Sequence, residues 1–470
     1  MPDRIGTAIL TPRPERRPAG SNCLTEGRSG RRAGALEAIY LTKLIKFTRE
    51  IRTAMWFRPS VCSLLAAAVA LVIAGVDQSI PEAAANFLPI IDGEAAKDLL
   101  RLVAGGMLTV TTVTLSVTML VLNLAANQAS PRAVPELMAD PITQNALSTF
   151  LATFVFAVAA LGMFGFEAVS GAGVTLMFGT SMLLGIWAIR YLLQWMHHVA
   201  AATKLNRIIV KVYDQAGDRL DTYFAMARTD EGAASSPDTE DDDGALVRAG
   251  ATGYVQLVNV DSMAQSAESL DLRVKLHAAE GDFVYGATPL MTVWGETRHD
   301  EDAQAQLARS VAIGGERTPE DDPRLGIEIL SEIACRALSP SMNDPQSAIV
   351  CVNYLAALLT RAGQVPASEY PVAVVKGGRV IRRVIAFDQF LIRAFRPVVR
   401  EGAGQVEVVK RVLYALAEMI PVISEDHLES IAEEADRAAE MARDRLTLED
   451  DRNAMEDAAK AVKTAIRERG

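Results

Sequence analysis

The feature that most constrains this chain is the apolar stretch from Phe57 to Val199, which is followed by a long region of polar composition. A hydrocarbon core about 30 Å thick requires about 20 apolar residues of helix to cross it. Four segments reach that length: Pro59–Ser79, Leu99–Asn123, Ala146–Ala168 and Val174–Met196. The sequence therefore predicts a four-helix transmembrane domain over residues 59–199.

The charged residues that flank these segments predict their orientation. Basic residues precede the first span (Lys43, Lys46, Arg49, Arg52 and Arg58) and follow the fourth (Lys204, Arg207 and Lys211). The loop from Asp77 to Asp98 is instead acidic, with Lys97 as its one basic residue. Because short basic flanks stay on the cytoplasmic side, we expect a multipass protein of the bacterial plasma (inner) membrane with cytoplasmic N- and C-termini.

The regions on either side of the spans have distinct compositions. Residues 1–40 are rich in Arg, Pro, Gly and Ser and are expected to be disordered, and residues 41–58 have the mixed apolar and basic pattern of an interfacial helix. Residues 200–249 combine an amphipathic helix with the acidic run Glu231–Gly244, which predicts a linker.

Residues 250–298 predict a small β domain. Leu272, Val274 and Leu276 alternate with polar residues, which is the period of a half-buried strand. Their glycine rhythm resembles the barrel-sandwich fold of lipoyl and biotin carriers, but the carriers' Lys–Met turn is missing, so no prosthetic group is expected. Residues 299–470 predict a mainly helical domain with one β-hairpin that turns at Gly377-Gly378.

The predicted fold class is therefore membrane α-helical, with four transmembrane helices followed by a cytoplasmic α+β module. That module has a small β-barrel-like segment and a helical C-terminal part.

The second predicted span carries a polar stripe. On a helical wheel, small and polar residues fall within an arc of about 60°: Gly105, Thr109, Thr112, Ser116, Asn123 and Asn127. One interpretation is a wet surface that lines an oligomeric pore or a transport path. The other is tight helix packing, because small and hydroxyl residues let helix backbones approach closely.

A second candidate site lies in the soluble half, at a turn between two predicted helices. Arg336, Ser339, Asn343 and Asp344 are the polar residues of this turn. They are candidates for a small binding pocket at a helix N-terminus. The alternative is that they only cap helices, with Asp344-Pro345 repeating the cap-and-proline pattern of Asp140-Pro141.

Six motifs of this chain resemble those of the domain of unknown function 2254 family of bacterial membrane proteins: Ser116–Arg132, Asp140–Phe154, Gly253–Gln256, Gly281–Val284, Arg317–Gly326 and Arg336–Ala348. They occur in order along about Lys46 to Ala442. The resemblance implies a membrane protein with this domain order, and it brings no assigned activity.

Composition argues against several classes of function. The net charge of −11 is unfavourable for a nucleic-acid-binding protein, which needs a basic face. Phosphate loops, zinc-protease pairs and nucleophile elbows are missing from the sequence. The four scattered cysteines are expected to be reduced thiols. We therefore expect a protein that is not an enzyme, with no catalytic residue, metal or cofactor.

Two functional hypotheses remain. The first is a channel-like or transport-related homo-oligomer in the lipid bilayer, whose cytoplasmic module gates or assembles the path. The second is a non-conducting membrane scaffold or sensor that recruits a cytoplasmic partner or small ligand near Arg336–Asp344.

Overall fold

The structure is a computed structural model that describes residues 56–77, 91–128, 140–166, 168–169, 171–202, 205–228, 243–318, 322–366, 373–375, 380–382 and 385–469. Several predictions fall outside these residues. They are the disordered segment 1–40, nearly all of the interfacial helix 41–58, most of the acidic run Glu231–Gly244, and the turn Gly377-Gly378.

Four N-terminal helices are long and apolar enough to cross a bilayer, and they lie at the positions of the four predicted spans. They are α1 (Phe57–Asp77), α2 (Gly93–Gln128), α3 (Pro141–Gly165) and α4 (Gly171–Ala202). Helix α3 packs against the other three, and its Phe150 and Phe156 are fully buried. The spans therefore form one bundle around α3.

Polar contacts hold the ends of the spans, one within a single helix end and one between two helices. Asp140 is the N-cap of α3, where its side chain accepts a hydrogen bond from the Thr143 amide and Pro141 follows at the first helical position. At the opposite end of the bundle, the Gly173 amide of α4 donates to Asp77 Oδ1 of α1 at 2.6 Å. A Cβ atom at Gly173 would lie 2.6 Å from the Asp77 carboxyl carbon, so glycine permits this contact.

Helix α5 (Leu205–Arg228) follows α4 and begins the C-terminal module, by which we mean residues 205–469. The module then contains β1 (Ala245–Arg248), β2 (Gly253–Val258), α6 (Val260–Ser269), β3 (Arg273–Leu276), β4 (Phe283–Val284), β5 (Pro289–Trp294), α7 (Glu301–Ala308) and β6 (Val311–Gly314). Asn259 is the N-cap of α6, and its side chain accepts a hydrogen bond from the Ser262 amide.

The later part of the module is mainly helical. It comprises α8 (Leu325–Ala337), α9 (Pro345–Gly363), β7 (Ala373–Val375), β8 (Val380–Arg382), α10 (Phe387–Gly402), α11 (Val406–Met419), a 3-10 turn (Glu425–His427), α12 (Leu428–Arg445) and α13 (Glu449–Arg469). These helices and α5 share one apolar core, in which Phe390, Phe395 and Leu355 are fully buried. Burial of each such side chain contributes about 1.5–3 kcal/mol.

The prediction of a barrel-like segment is wrong, because the described strands form two open sheets. One has the order β1-β5-β3-β8-β7 and the other β4-β2-β6. The hairpin of β7 and β8, which the sequence analysis assigns to the helical region, extends the first sheet through a parallel pairing of β8 with β3. Closure of a barrel would require the outer strands to pair with each other, and β1 and β7 remain at opposite edges.

Candidate functional site

A cavity of about 510 Å³ lies where three spans meet the first helix of the C-terminal module. We call it the boundary cavity. Its walls come from the end of α2 and start of α3 (Thr118, Val121, Leu122, Asp140, Pro141 and Thr143) and from the end of α4 and start of α5 (His198, Val199, Asn206, Arg207, Ile208, Val210, Lys211 and Asp214). This volume is in the range of small-molecule sites, which occupy about 300–1,000 Å³.

Asp140 is the central polar group on the side of the spans. Its Oδ2 accepts from the Thr143 amide at 2.9 Å and from the Thr143 hydroxyl at 2.8 Å. The same oxygen lies 3.0 Å from Nε2 of His198, and both side chains are mostly buried. The cap of α3 therefore also ties α3 to α4 inside the boundary cavity.

Helix α5 forms the opposite wall and has two faces. Arg207, Lys211 and Asp214 recur at spacings of three and four residues and line the cavity. Ile209, Val212, Ala216 and Leu220 pack into the core of the C-terminal module. Arg207 is exposed, and no carboxylate of the described residues lies within ion-pair distance of it.

The far end of α5 contacts a buried group of charged residues. The Tyr223 hydroxyl accepts a hydrogen bond from the Ile385 amide at 2.8 Å. The Arg382 guanidinium lies 5.4 Å from the centre of the Tyr223 ring and donates to Glu280 Oε2 at 2.6 Å. Burial raises the pKa of Tyr223 above its ordinary value, even though the nearby Arg382 charge acts to lower it.

These contacts continue into an ion network that joins the sheets to the helices. We define the ion network as Glu280, Asp282, Arg317, Asp322, Arg324, Glu328, Arg382 and Arg393. Arg324 Nη1 donates to Asp282 Oδ1 at 2.8 Å, and Arg317 Nε donates to Asp322 Oδ2 at 2.6 Å. Burial alone would lower the pKa of Arg324, but Asp322 and Asp282 raise it above its usual value.

The ion network explains why two of the sequence motifs lie together. Gly281–Val284 supplies Asp282, and Arg317–Gly326 supplies Arg317, Asp322 and Arg324. Gly281 has a φ of +84°, and a Cβ atom there would overlap the Asp322 carboxylate. Glycine at this position therefore allows the two motifs to approach closely.

The polar stripe of α2 lies on the outer surface of the four-helix bundle. Gly105, Thr109, Thr112, Ser116 and Asn123 are all exposed, whereas Thr114 and Thr118 on the other side of α2 are buried. Thr109 and Ser116 donate their hydroxyl hydrogens to carbonyls of their own helix at 3.0 and 2.9 Å, and Thr112 does the same. The side chain of Asn127 lies outside the described residues. A pore lining and a packing surface both stay predictions.

The turn between α8 and α9 is held by its own polar groups. Asp344 caps α9, with its Oδ1 accepting from the Ser347 amide at 3.1 Å and its Oδ2 from the Ser347 hydroxyl at 2.6 Å. Ser339 Oγ lies 3.1 Å from Ser341 Oγ, and exposed Asn343 adopts a φ of +46°. Arg336 lies half-buried in the last turn of α8. Asp344 is confirmed as the N-cap of α9, and a ligand at this turn stays a prediction.

The boundary cavity was not predicted from the sequence, because its walls come from four separate helices. Asp140, His198, Arg207 and Lys211 are each visible as boundary residues, but their convergence depends on tertiary packing. The one signal of this site in the sequence is the basic pair Arg207 and Lys211, which follows the fourth span. Across the described ranges, no three His, Cys, Asp or Glu side chains are grouped so that they could hold a metal ion.

Comparison with known proteins identifies relatives of unknown function. A family model described as "Predicted membrane protein (DUF2254)" matches residues 52–418. Uncharacterised proteins of Mycobacterium tuberculosis (strain H37Rv) and of Mycobacterium bovis are each 26% identical to this chain over 268 residues, which is 56% of this chain and 51% of the relative. The chain thus spans about half the length of these curated relatives. No solved structure matches it.

Proposed function

This chain belongs to the domain of unknown function 2254 family of predicted membrane proteins, and we propose that it is a non-conducting sensor of the bacterial plasma membrane. Both termini are cytoplasmic in this proposal. A ligand occupies the boundary cavity, and its presence changes the C-terminal module, which recruits a cytoplasmic partner. The proposal involves no catalytic step and no nucleic acid.

The observation that carries this proposal is the double role of α5. Its first turns form one wall of the boundary cavity, while its apolar face belongs to the main core of the C-terminal module. A helix of its 24 residues is about 36 Å long. A displacement of α5 by a ligand would therefore move side chains far from the cavity.

A continuous series of contacts leads from α5 to the surface of the sheets. Tyr223 touches Arg382, and Arg382 binds Glu280. Arg324 donates to the Glu280 carbonyl at 2.5 Å and to Asp282, the residue next to Phe283.

Phe283 belongs to an exposed aromatic cluster that we propose as the recruiting surface. Its ring centre lies 4.9 Å from that of Tyr254 and 5.4 Å from that of Tyr285. Phe283 is 47% exposed and Tyr285 is 64% exposed. Aromatic residues are enriched in protein–protein interfaces. The cluster is joined to the ion network because Phe283 directly follows Asp282 in the chain.

The test is to fill the boundary cavity without a ligand. Val210→Trp places an indole in the cavity wall, and Val422→Trp places one at an exposed site that does not line the cavity. Hydrogen exchange of the full chain in lipid nanodiscs should change in α5, at residues 280–284 and at residues 322–328 for Val210→Trp only. Changes confined to the first turns of α5 would refute the coupling.

A second candidate function is a channel-like or transport-related homo-oligomer gated by the same module. The exposed position of the α2 stripe favours it, because copies that assemble through α2 would bring their stripes together. Purified protein in liposomes should then conduct ions, and Thr112→Leu and Ser116→Leu should abolish the flux. Val113→Leu, which changes an exposed neighbour of the stripe, should leave it intact. Absence of flux from folded wild-type protein would exclude this candidate.

A further inference from the structure

The boundary cavity has the mixed lining of a site for an amphiphile. Val121, Leu122 and Val199 contribute apolar surface from the spans, and α5 contributes charged groups. The cavity lies at the ends of helices long enough to cross a bilayer. In a bilayer that these helices cross, this position corresponds to the level at which the headgroup region of a leaflet meets the hydrocarbon.

The charges of the cavity are of both signs. Asp140 is already engaged by His198 and by two hydrogen bonds from Thr143. The α5 wall presents Arg207 and Asp214, and neither forms an ion pair within the described part of the chain. Lys211 lies between them. The cavity thus presents a cation and a carboxylate that a ligand can pair.

The spacing of these two groups suits a dipolar headgroup. Arg207 and Asp214 are seven residues apart, which is two helical turns on the same face and about 10 Å along the axis. Side chains that lean toward each other from this distance can hold two opposite charges separated by a short linker. Arginine binds phosphate through paired N–H donors, and a carboxylate accepts hydrogen bonds from a primary ammonium group.

We propose that the boundary cavity binds a zwitterionic phospholipid with a primary amine, of the phosphatidylethanolamine class. Arg207 binds its phosphate, Asp214 binds its ammonium group, and the apolar residues of α2 and α4 contact the start of its acyl chains. This inference rests on the proposed function and names the ligand of the same site. A lipid is favoured over a free phosphoethanolamine because of the apolar wall and the position of the cavity.

The test measures lipid binding to the full chain in neutral detergent by native mass spectrometry. Phosphatidylethanolamine, phosphatidylcholine, phosphatidylglycerol and soluble phosphoethanolamine are compared at equal concentrations. We expect the first to bind about tenfold more tightly than the others, a difference that corresponds to about 1.4 kcal/mol. The choline lipid cannot donate an N–H hydrogen bond, and the glycerol lipid has no ammonium group.

Substitutions assign the two charges separately. Arg207→Gln should lower the affinity for every phospholipid by about tenfold. Asp214→Asn should instead remove the preference for phosphatidylethanolamine while phosphatidylglycerol binds as before. Arg437→Gln is the matched control, because Arg437 is also an exposed helical arginine, and it should change neither result.

Several outcomes would overturn the inference. They are a preference for phosphatidylglycerol, equal binding of soluble phosphoethanolamine, or a preference that survives Asp214→Asn. The proposed function is tested separately. It would be rejected if Val210→Trp changed hydrogen exchange only in the first turns of α5, and that result does not depend on which ligand binds. A response to Val210→Trp without any lipid preference would reject the lipid and keep the sensor.

Discussion

Tyr223 is the residue through which α5 meets the ion network, and its hydroxyl is the hydrogen-bond partner of the buried Ile385 amide. Tyr223→Phe keeps the ring beneath Arg382 but leaves that amide without its acceptor. We expect a loss of stability of about 1–3 kcal/mol, the usual cost of an unsatisfied buried donor. Thermal unfolding of the full chain in detergent measures it, and an unchanged midpoint would contradict the role of this hydrogen bond.

Tyr223 should also make the stability of the fold depend on pH in the alkaline range. Burial raises the pKa of Tyr223 in the folded protein, so the unfolded chain loses this proton first as the pH rises above about 10. Stability that Tyr223 contributes below that pH should then be lost as the pH rises through the folded pKa. The difference in unfolding midpoint between wild type and Tyr223→Phe should therefore shrink above pH 10. A constant difference between pH 8 and 11 would be inconsistent with this.

Asp344 is the residue at which the two interpretations of the α8–α9 turn differ most. Because Asp344 is the N-cap of α9, the substitution Asp344→Ala should lower the stability by about 1 kcal/mol. Ser341→Ala removes an exposed hydroxyl of the same turn and should cost much less. Unfolding midpoints of the two variants provide the comparison. An unaffected midpoint in Asp344→Ala, together with loss of a bound partner, would favour the ligand interpretation.

At the scale of the elements, the ion network links the sheets to the helices of the C-terminal module. Arg324→Ala removes the cation that pairs with the half-buried Asp282 and one of the two cations that pair with the buried Asp322, which keeps Arg317. Removal of one partner of a buried pair typically costs about 3–5 kcal/mol. Arg411→Ala breaks a pair with the exposed Glu418 and should cost less than about 1 kcal/mol. Similar midpoints for the two variants would show that the network does not stabilise the fold.

Local signals predicted individual elements well. The caps Asp140-Pro141 and Asp344-Pro345 are confirmed, because a cap depends on residues within one helical turn. The arrangement of the strands was not predicted. Val274 of β3 pairs with Val380 of β8, more than a hundred residues later in the chain, and no local period indicates such a partner. The barrel-like interpretation failed because it considered residues 250–298 alone.

At the scale of the whole molecule, the four spans were predictable because length and hydropathy suffice to recognise them. The boundary cavity was not, since Asp140, His198 and Arg207 converge only when α3, α4 and α5 are packed together. The exposed face of α2 illustrates the same limit. Its stripe was visible in the sequence, but which side of the bundle it occupies depends on how α2 packs against α3 and α4.

The proposed function requires the four apolar helices to cross the plasma membrane and to leave the boundary cavity and the C-terminal module together on its cytoplasmic side. Labelling of single cysteines in spheroplasts tests it most directly, after the native Cys23, Cys62, Cys335 and Cys351 are replaced by serine. Asp92→Cys at the start of α2 and Lys460→Cys on α13 are both at exposed positions. A membrane-impermeant maleimide should label Asp92→Cys in intact spheroplasts and Lys460→Cys only after lysis. Labelling of Lys460→Cys in intact spheroplasts would contradict the account.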